Sequence, residues 1–377
     1  MTDSSSRNGP VVHFLYEPGD GGLDRVAILL ANGMAKRGIA TELWLTKATG
    51  SVAHMIAPEV TVRMVPTPKF GNRSLQLLLQ IPAVARMIRK YQPKVIFSAG
   101  NQSNLSAAVA CKLSGIRETR FIQKITNPIL RPGMGHWLKK YRIWRFGFTA
   151  RFADLCLTLS AADAKNYAQL YPQTGAKFRF VANPYVNKDM LALGESRKDR
   201  RPGGGTRLLA VGRIEPQKGY FTLLSALVLI ADRRWTMTVL GGGNLLEKVQ
   251  LQAENLGLGD RITFQGFISD PVPYYAQSDI LVLSSLWEGL PAVPLEAMAT
   301  GCAVVTTDCS DGLTQLLSQI GQKSVPVRNP EALAKAIATA IDEPQPIDPL
   351  RTCAKQFSIE NSIDRHIDLM RQTLTTD

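Results

Sequence analysis

DILVLSSLWEGLPAVPLEAMATG, residues 279–301, places a strand, a loop and a helix in direct succession. DILVLSS holds the uninterrupted apolar run ILVL (280–283), of strand length and with the pattern of a strand buried on both faces. LWEGL turns, and PLEAMATG has helical character up to a closing glycine. Pro294 suits the first helical position. That sets Glu296 within the first turn, where a carboxylate gains from the helix dipole and unpaired N–H groups. Glu288 lies on the loop at the carboxyl end of the strand. Two carboxylates in an apolar stretch are costly to bury without partners. Helix capping accounts for Glu296 but leaves unexplained the Gly-Leu-Pro turn that pins Glu288.

The same alternation extends outward. Upstream lie the strands RLLAVGR, WTMTVLG and RITFQGF, with helices over 220–231, over NLLEKVQLQAENLG and around YYAQS; AVVTTD follows as a further strand. Toward the amino terminus, VVHFLY, ATELWLT, KVIFSA, TRFIQKI, ADLCLTLS and KFRFVAN are strands. A Gly-rich PGDGG turn and the helix LDRVAILLANGMAKRG follow the first of them. Strands separated by helices imply parallel, doubly wound sheets. ESRKDRRPGGGT (195–206) is charged, then Gly-rich, without apolar period, and has the character of a linker. The expected organisation is an α/β chain of two Rossmann-like domains facing across a cleft. It comprises an acceptor-side domain over 1–190, a linker over 191–206, a nucleotide-binding domain over 207–350 and a helical segment over 351–377. At 377 residues the chain exceeds the ~250–300 at which single cores stop growing. Ligands of such sheets bind at the carboxyl ends of the strands.

Hydrophobic residues make up 45% and charged residues 20%, which excludes disordered and fibrous classes. Residues 1–10 are polar and carry no apolar core of a secretory signal. FTLLSALVLIA (221–231) is far short of the ~20 residues that span a bilayer. Five cysteines form no Cys-x-x-Cys pair, as expected of a reducing cytoplasm. The net charge of +13 is lopsided: residues 51–150 hold sixteen Lys or Arg against two acids. The first half therefore faces something anionic.

Arg213 and Lys218 share the loop after RLLAVG, on either side of a proline turn. A guanidinium fork and a point charge suit a diphosphate, and a solvated loop is the alternative. Gly241 opens the glycine run GGGN after WTMTVL. Such a run can bring backbone to a phosphate or simply allow close packing. The next strand lacks the acid of a dinucleotide fingerprint, which disfavours NAD.

VGRIEPQKG, VLGGGNLLEKVQLQAENLGLGDRITFQGF and SDILVLSSLWEGLPAVPLEAMATGCAVVTTD together resemble the retaining glycosyltransferases of family 4, which have the GT-B fold. GDGGLDRVAILLANGMAKRG, ADLCLTLSAADAKNY and FVANPYV carry the resemblance into the first half more loosely. The resemblance implies that Arg213 and Lys218 hold the donor diphosphate. Glu296 would bind the ribose hydroxyls. Glu288, with the backbone of Gly289, Leu290 and Pro291, would face the donor sugar and phosphate. Gly22 would offer backbone N–H to the diphosphate, and Phe267 and Ile268 would border the base. Many relatives carry an acceptor-side His where this chain reads KITNP, so Lys124, Thr126 and Asn127 stand there instead. In the front-face mechanism proposed for the class, the leaving phosphate can take the acceptor's proton. The chain contains no Asp-x-Asp, and its four histidines show no HxxxH spacing. No metal or other cofactor is expected.

RPGMGHWLKKYRIWRFGFTARF (131–152) interleaves Lys139, Lys140, Arg142 and Arg145 with Trp137, Trp144 and further rings. KFGNRSLQLLLQIPAVARMIRKYQPK (69–94) is similarly poor in acids. Basic aromatic helices of this kind lie in the headgroup region of anionic bilayers, unless they pack on their own domain. Single-stranded nucleic acid is the competing anion, but no nucleic-acid module is present. The expected partners are thus a nucleotide sugar, with UDP-sugar preferred, a lipid-linked saccharide and an anionic membrane. The expected location is cytoplasmic, peripheral on the inner face of the cytoplasmic membrane. A sugar-nucleotide epimerase of the same fold and a non-catalytic basic binder are the alternatives. The Arg-x4-Lys and Glu-x7-Glu spacings favour transfer.

Overall fold

The computed structural model describes residues 9–19, 21–131, 133–197 and 205–375. It divides into two compact units, Met1–Pro184 with Ile359–Asp377, and Tyr185–Ser358.

The first unit holds strands β1 (Val11–Leu15), β2 (Thr41–Leu45), β3 (Thr61–Met64), β4 (Val95–Ser98), β5 (Arg120–Lys124), β6 (Leu155–Thr158) and β7 (Phe178–Phe180). They form a parallel sheet in the order β3-β2-β1-β4-β5-β6-β7. Successive side chains of a strand point to opposite faces, and here they feed different cores. Phe14 and Trp44 belong to one cluster, whereas their neighbours Leu15, Leu43 and Leu45 belong to another. A sheet buried on both faces is the doubly wound arrangement the apolar runs imply. The two edge strands depart from this: β3 has Thr61, Val62 and Met64 exposed, and β7 has Arg179 exposed. TVRM and FRF accordingly carry no apolar run.

The second unit holds β8 (Thr206–Val211), β9 (Trp235–Leu240), β10 (Ile262–Gly266), β11 (Ile280–Leu283) and β12 (Ala303–Thr306). These are also parallel, in the order β10-β9-β8-β11-β12. The order reverses at β8, so the loops after β8 and β11 flank the switch point where such sheets bind ligands.

The segmentation expected at 190 and 350 is corrected: the second unit runs from Tyr185 to Ser358. Residues 191–196 are not linker but the end of the helix Lys188–Ser196. That helix belongs to the second unit: a Cβ on Gly194 would stand 2.2 Å from the Ala299 carbonyl oxygen. Most of the Gly-rich linker, 198–204, lies outside the described residues. The carboxyl-terminal helix Ile359–Thr375 joins the first unit. Its Ile363 fills the space a side chain would need at Gly33, and its Asp364 pairs with Arg37 at 2.7 Å. Contacts so distant in sequence leave no local signal.

Candidate functional site

The second unit's site starts from β8. Gly212 follows the strand at φ +150°, and a Cβ there would crowd Lys218 Cε at 3.1 Å. The chain turns through Pro216–Lys218 and enters the helix Tyr220–Val228 at Gly219, with φ +65°. A Cβ on Gly219 would stand 2.1 Å from the Ser284 carbonyl oxygen. Only glycine permits this approach of the β8 loop to the β11 loop.

Hydrogen bonds then lace the two loops together. Ser284 Oγ donates to the Lys218 carbonyl at 2.8 Å, Leu286 N to the Gln217 carbonyl at 2.7 Å, and Gln217 Nε2 to the Trp287 carbonyl at 2.7 Å. The β11 loop is also tied to the chain after β12. Glu288 N donates to the Cys309 carbonyl at 2.7 Å, and Ser310 Oγ donates to the Gly289 carbonyl. On this frame Lys218 Nζ lies 2.7 Å from Glu288 Oε1, which also accepts from Ser285 Oγ at 2.9 Å. Both side chains are largely buried. Arg213 is exposed, and no carboxylate among the described residues pairs with it. A free guanidinium thus stands on the same loop as a paired ammonium, an arrangement suited to a polyanion.

Glu296 is not in a first helical turn. The helix is Ala292–Ala299, with Pro291 as its N-cap. It starts two residues earlier than expected because Pro294 is tolerated at the third position, where its missing N–H would have had no intrahelical acceptor. Glu296, the fifth residue, is 6% exposed and accepts a hydrogen bond from Tyr275 Oη at 2.8 Å. Leu290 is buried and its carbonyl accepts from Tyr185 Oη at 3.1 Å, while Pro291 is buried beside it. Phe267 and half-buried Ile268 follow β10, Phe267 being 68% exposed.

At Gly241 the structure shows the close packing that such a glycine run allows. A Cβ on Gly241 would meet the Gly212 carbonyl oxygen at 2.1 Å, and one on Gly243 the Ile214 carbonyl oxygen at 2.5 Å. The run lets the β9 loop seat against the β8 loop. It thereby backs the Gly212–Ile214 backbone that carries Arg213.

In the first unit, Gly22 is the exposed first residue of the helix Gly22–Lys36, where an added Cβ would meet nothing within 4 Å. Its N–H is one of the donors a helix start leaves without an intrahelical partner. Lys124 is corrected from an acceptor-loop residue to a buried one. It ends β5 and is 3% exposed, with Nζ donating to Asn183 Oδ1 at 2.7 Å and to His366 Nε2 at 2.9 Å. His366 Nδ1 lies 2.7 Å from the Ser362 carbonyl, which can only accept, so the proton is on Nδ1 and Nε2 receives the lysine's hydrogen bond. Burial pushes the Lys124 pKa down to about 7. Burial first, and Lys124 second, push His13 down to about 3 and hold His366 well below its usual value.

Thr126 and Asn127 are half-buried in the loop itself, held by Asn101 through Thr126 N at 3.0 Å and the Asn127 carbonyl at 2.9 Å. The helix His136–Phe152 leaves Trp137 81% and Trp144 63% exposed, with Lys139 and Lys140 also in solvent. Arg142 and Arg145 turn inward instead. Arg142 donates to the Ile129 and Pro128 carbonyls at 2.6 and 3.1 Å, and Arg145 to the Asn101 carbonyl at 2.9 Å. Arg142 thus supplies donors to carbonyls of the 126–129 loop, and Arg145 to the carbonyl of Asn101, whose own side chain holds that loop.

Sequence reasoning misses Ser285, Gln217 and Tyr275. Ser285 stands three residues before Glu288 and so is locally findable. Tyr275 meets a residue 21 positions away and has no local mark. Among the described residues, no group of three or more His, Cys, Asp or Glu could hold a metal ion, and no helix is long and apolar enough to cross a membrane.

Comparison with known proteins gives two family matches: the glycosyl transferase 4-like domain over residues 21–184 and glycosyl transferases group 1 over residues 194–357. One relative is the N-acetylgalactosamine-N,N'-diacetylbacillosaminyl-diphospho-undecaprenol 4-alpha-N-acetylgalactosaminyltransferase of Campylobacter jejuni. It is 23% identical over 80% of this chain and 82% of its own length. A second is the lipopolysaccharide core biosynthesis glycosyltransferase LpsE of Rhizobium meliloti, 25% identical over 96% of this chain and 98% of its own. Across the first curated relatives, between 59% and 98% of the relative's length is matched. Among solved structures, Anabaena HepE in complex with UDP superposes with a TM-score of 0.75 at 18% identity, over 96% of this chain and 100% of that one. Two adjoining family domains on two parallel Rossmann-like sheets place the chain in the GT-B glycosyltransferases of the family 4 type, and it is a glycosyltransferase.

Proposed function

We propose that the protein transfers a sugar, with retained anomeric configuration, from a UDP-sugar to a lipid-linked saccharide in cell-surface polysaccharide assembly. The observation that carries this reading is the pair of laced loops bearing Arg213, Lys218 and Glu288 at the switch point of the second sheet. The undecaprenol-linked acceptor in the Campylobacter relative's name and the lipopolysaccharide role in the Rhizobium relative's name support the acceptor class. UDP in the Anabaena complex supports the nucleotide.

In this reading Arg213 and Lys218 offset the charge that develops as the bond from anomeric carbon to phosphate oxygen breaks. Glu296 holds the ribose, and Glu288 faces the sugar. The acceptor hydroxyl oxygen bonds to the anomeric carbon, and its proton passes to the leaving phosphate. The missing Asp-x-Asp supports leaving-group stabilisation by these cations without a metal. The exposed Trp137, Trp144, Lys139 and Lys140 support contact with an anionic membrane at the inner face of the cytoplasmic membrane.

The test is incubation with UDP-hexoses and UDP-N-acetylhexosamines, with and without a polyprenyl-diphosphate saccharide. The expected result is acceptor-dependent release of UDP and an axial-donor-derived α linkage by NMR. Epimerised nucleotide sugar formed without acceptor would overturn the reading.

A further inference from the structure

We infer that Tyr275 is a positioning residue for nucleotide binding: its hydroxyl sets the plane of the Glu296 carboxylate that grips the ribose. The inference rests on the ribose role proposed for Glu296. Tyr275 lies on the helix Val272–Gln277 and is 0% exposed, yet its hydroxyl reaches Glu296 Oε2 at 2.8 Å. A carboxylate at 6% exposure keeps its charge at low cost only where donors meet it. A donor on a ring wedged in the core gives it a fixed direction as well.

The two helices are also clamped at their far ends. Arg197 donates to the Tyr275, Ala276 and Ser278 carbonyls at 3.3, 3.4 and 2.5 Å. The same guanidinium reaches the Thr300 carbonyl at 3.4 Å, at the end of the helix that carries Glu296. One arginine thus fixes the tyrosine's helix to the glutamate's helix, and the hydroxyl uses that fixed spacing. A vicinal diol meets a carboxylate bidentately, so its binding depends on the orientation of the carboxylate plane. A merely structural tyrosine would affect all ligands alike.

The experiment measures affinity for UDP and for 2′,3′-dideoxy-UDP by calorimetry in the full chain, Tyr275→Phe, Glu296→Gln and the double variant. Phenylalanine keeps the ring and removes only the hydroxyl; thermal melting checks that each variant is folded. The expected result is weaker UDP binding in Tyr275→Phe by roughly tenfold to a hundredfold, the loss of a charge-assisted hydrogen bond. Dideoxy-UDP affinity stays unchanged, and the double variant is no worse than Glu296→Gln. Equal weakening of both nucleotides, or unchanged UDP binding where Glu296→Gln abolishes the preference for ribose, overturns the role of Tyr275 and leaves that of Glu296 standing. A preference for UDP that survives Glu296→Gln removes the ribose reading itself, and this inference with it.

Discussion

Lys218 Nζ and Glu288 Oε1 lie 2.7 Å apart, so two charges expected to hold different parts of one ligand hold each other. Their loops are fixed independently of the pair, through Ser284, Leu286 and Gln217. In the proposed donor role, a diphosphate at Lys218 competes with Glu288 for the ammonium, and the carboxylate it displaces becomes available to the sugar.

This makes an unusual prediction for Glu288→Gln. Removing the carboxylate leaves the ammonium under-compensated, so UDP should bind more tightly, by about fivefold to tenfold for a gain near 1 kcal/mol. Turnover should fall by about a hundredfold, the typical loss of one preorganised electrostatic contact. Calorimetry with UDP and steady-state kinetics would measure the two. Weaker UDP binding in the variant would show that the pair does not compete with the ligand.

Arg213 and Lys218 should separate in stability though not in activity. Arg213→Ala and Lys218→Ala should each lower turnover by ~10²–10³. Arg213 is exposed without a carboxylate partner, so its melting temperature should not move. Lys218→Ala strands a largely buried Glu288, and removing one partner of such a pair costs about 3–5 kcal/mol. A Lys218→Ala melting curve superposing on the wild-type curve would contradict the observed pairing.

Much of this site was legible in sequence because its residues cluster at strand ends. The strand–loop–helix order placed Arg213, Lys218 and Glu288 at the carboxyl edge of the second sheet, where the structure has them. Their mutual pairing was not legible, since it depends on how closely Gly219 lets two loops approach across 70 residues of chain. Lys124 was misread for a related reason. It follows an apolar strand as a loop residue would, and the groups that make its burial tolerable, Asn183 and His366, come from 59 and 242 positions away.

That buried cluster predicts a pH dependence of stability. Lys124 titrates near 7 in the folded chain and near ~10.4 unfolded. Between those values the unfolded state binds the proton and the folded state does not, so stability rises with pH across this window. His13, at about 3 folded against ~6.5 unfolded, adds a second rise at lower pH, and His366 acts in the same direction. Lys124→Met should abolish the gain between about pH 7 and 10 while leaving the acidic limb. Chemical denaturation of both proteins across this range measures it; parallel curves from pH 7 to 10 would mean that Lys124 stays charged inside the fold.

The helix His136–Phe152 divides its cations between two tasks, which gives the membrane proposal a sharper test than charge removal alone. Lys139 and Lys140 are in solvent beside exposed Trp137 and Trp144, whereas Arg142 and Arg145 hold carbonyls of residues 101, 128 and 129. A lysine near an anionic bilayer contributes ~1 kcal/mol, fading over a Debye length of about 8 Å at physiological salt. Replacing both lysines with Gln should therefore weaken binding to phosphatidylserine-containing vesicles by roughly thirtyfold. Adding Trp137→Ser and Trp144→Ser should remove what remains, at unchanged melting temperature. Arg142→Gln should act differently. It deprives two carbonyls of their donor, costing about 1–3 kcal/mol of stability, and loosens the loop of Thr126 and Asn127 rather than the contact with lipid. Co-sedimentation with vesicles and thermal melting of both sets would separate the two roles. If the Lys139, Lys140, Trp137 and Trp144 variant pellets like wild type, this helix does not face the membrane.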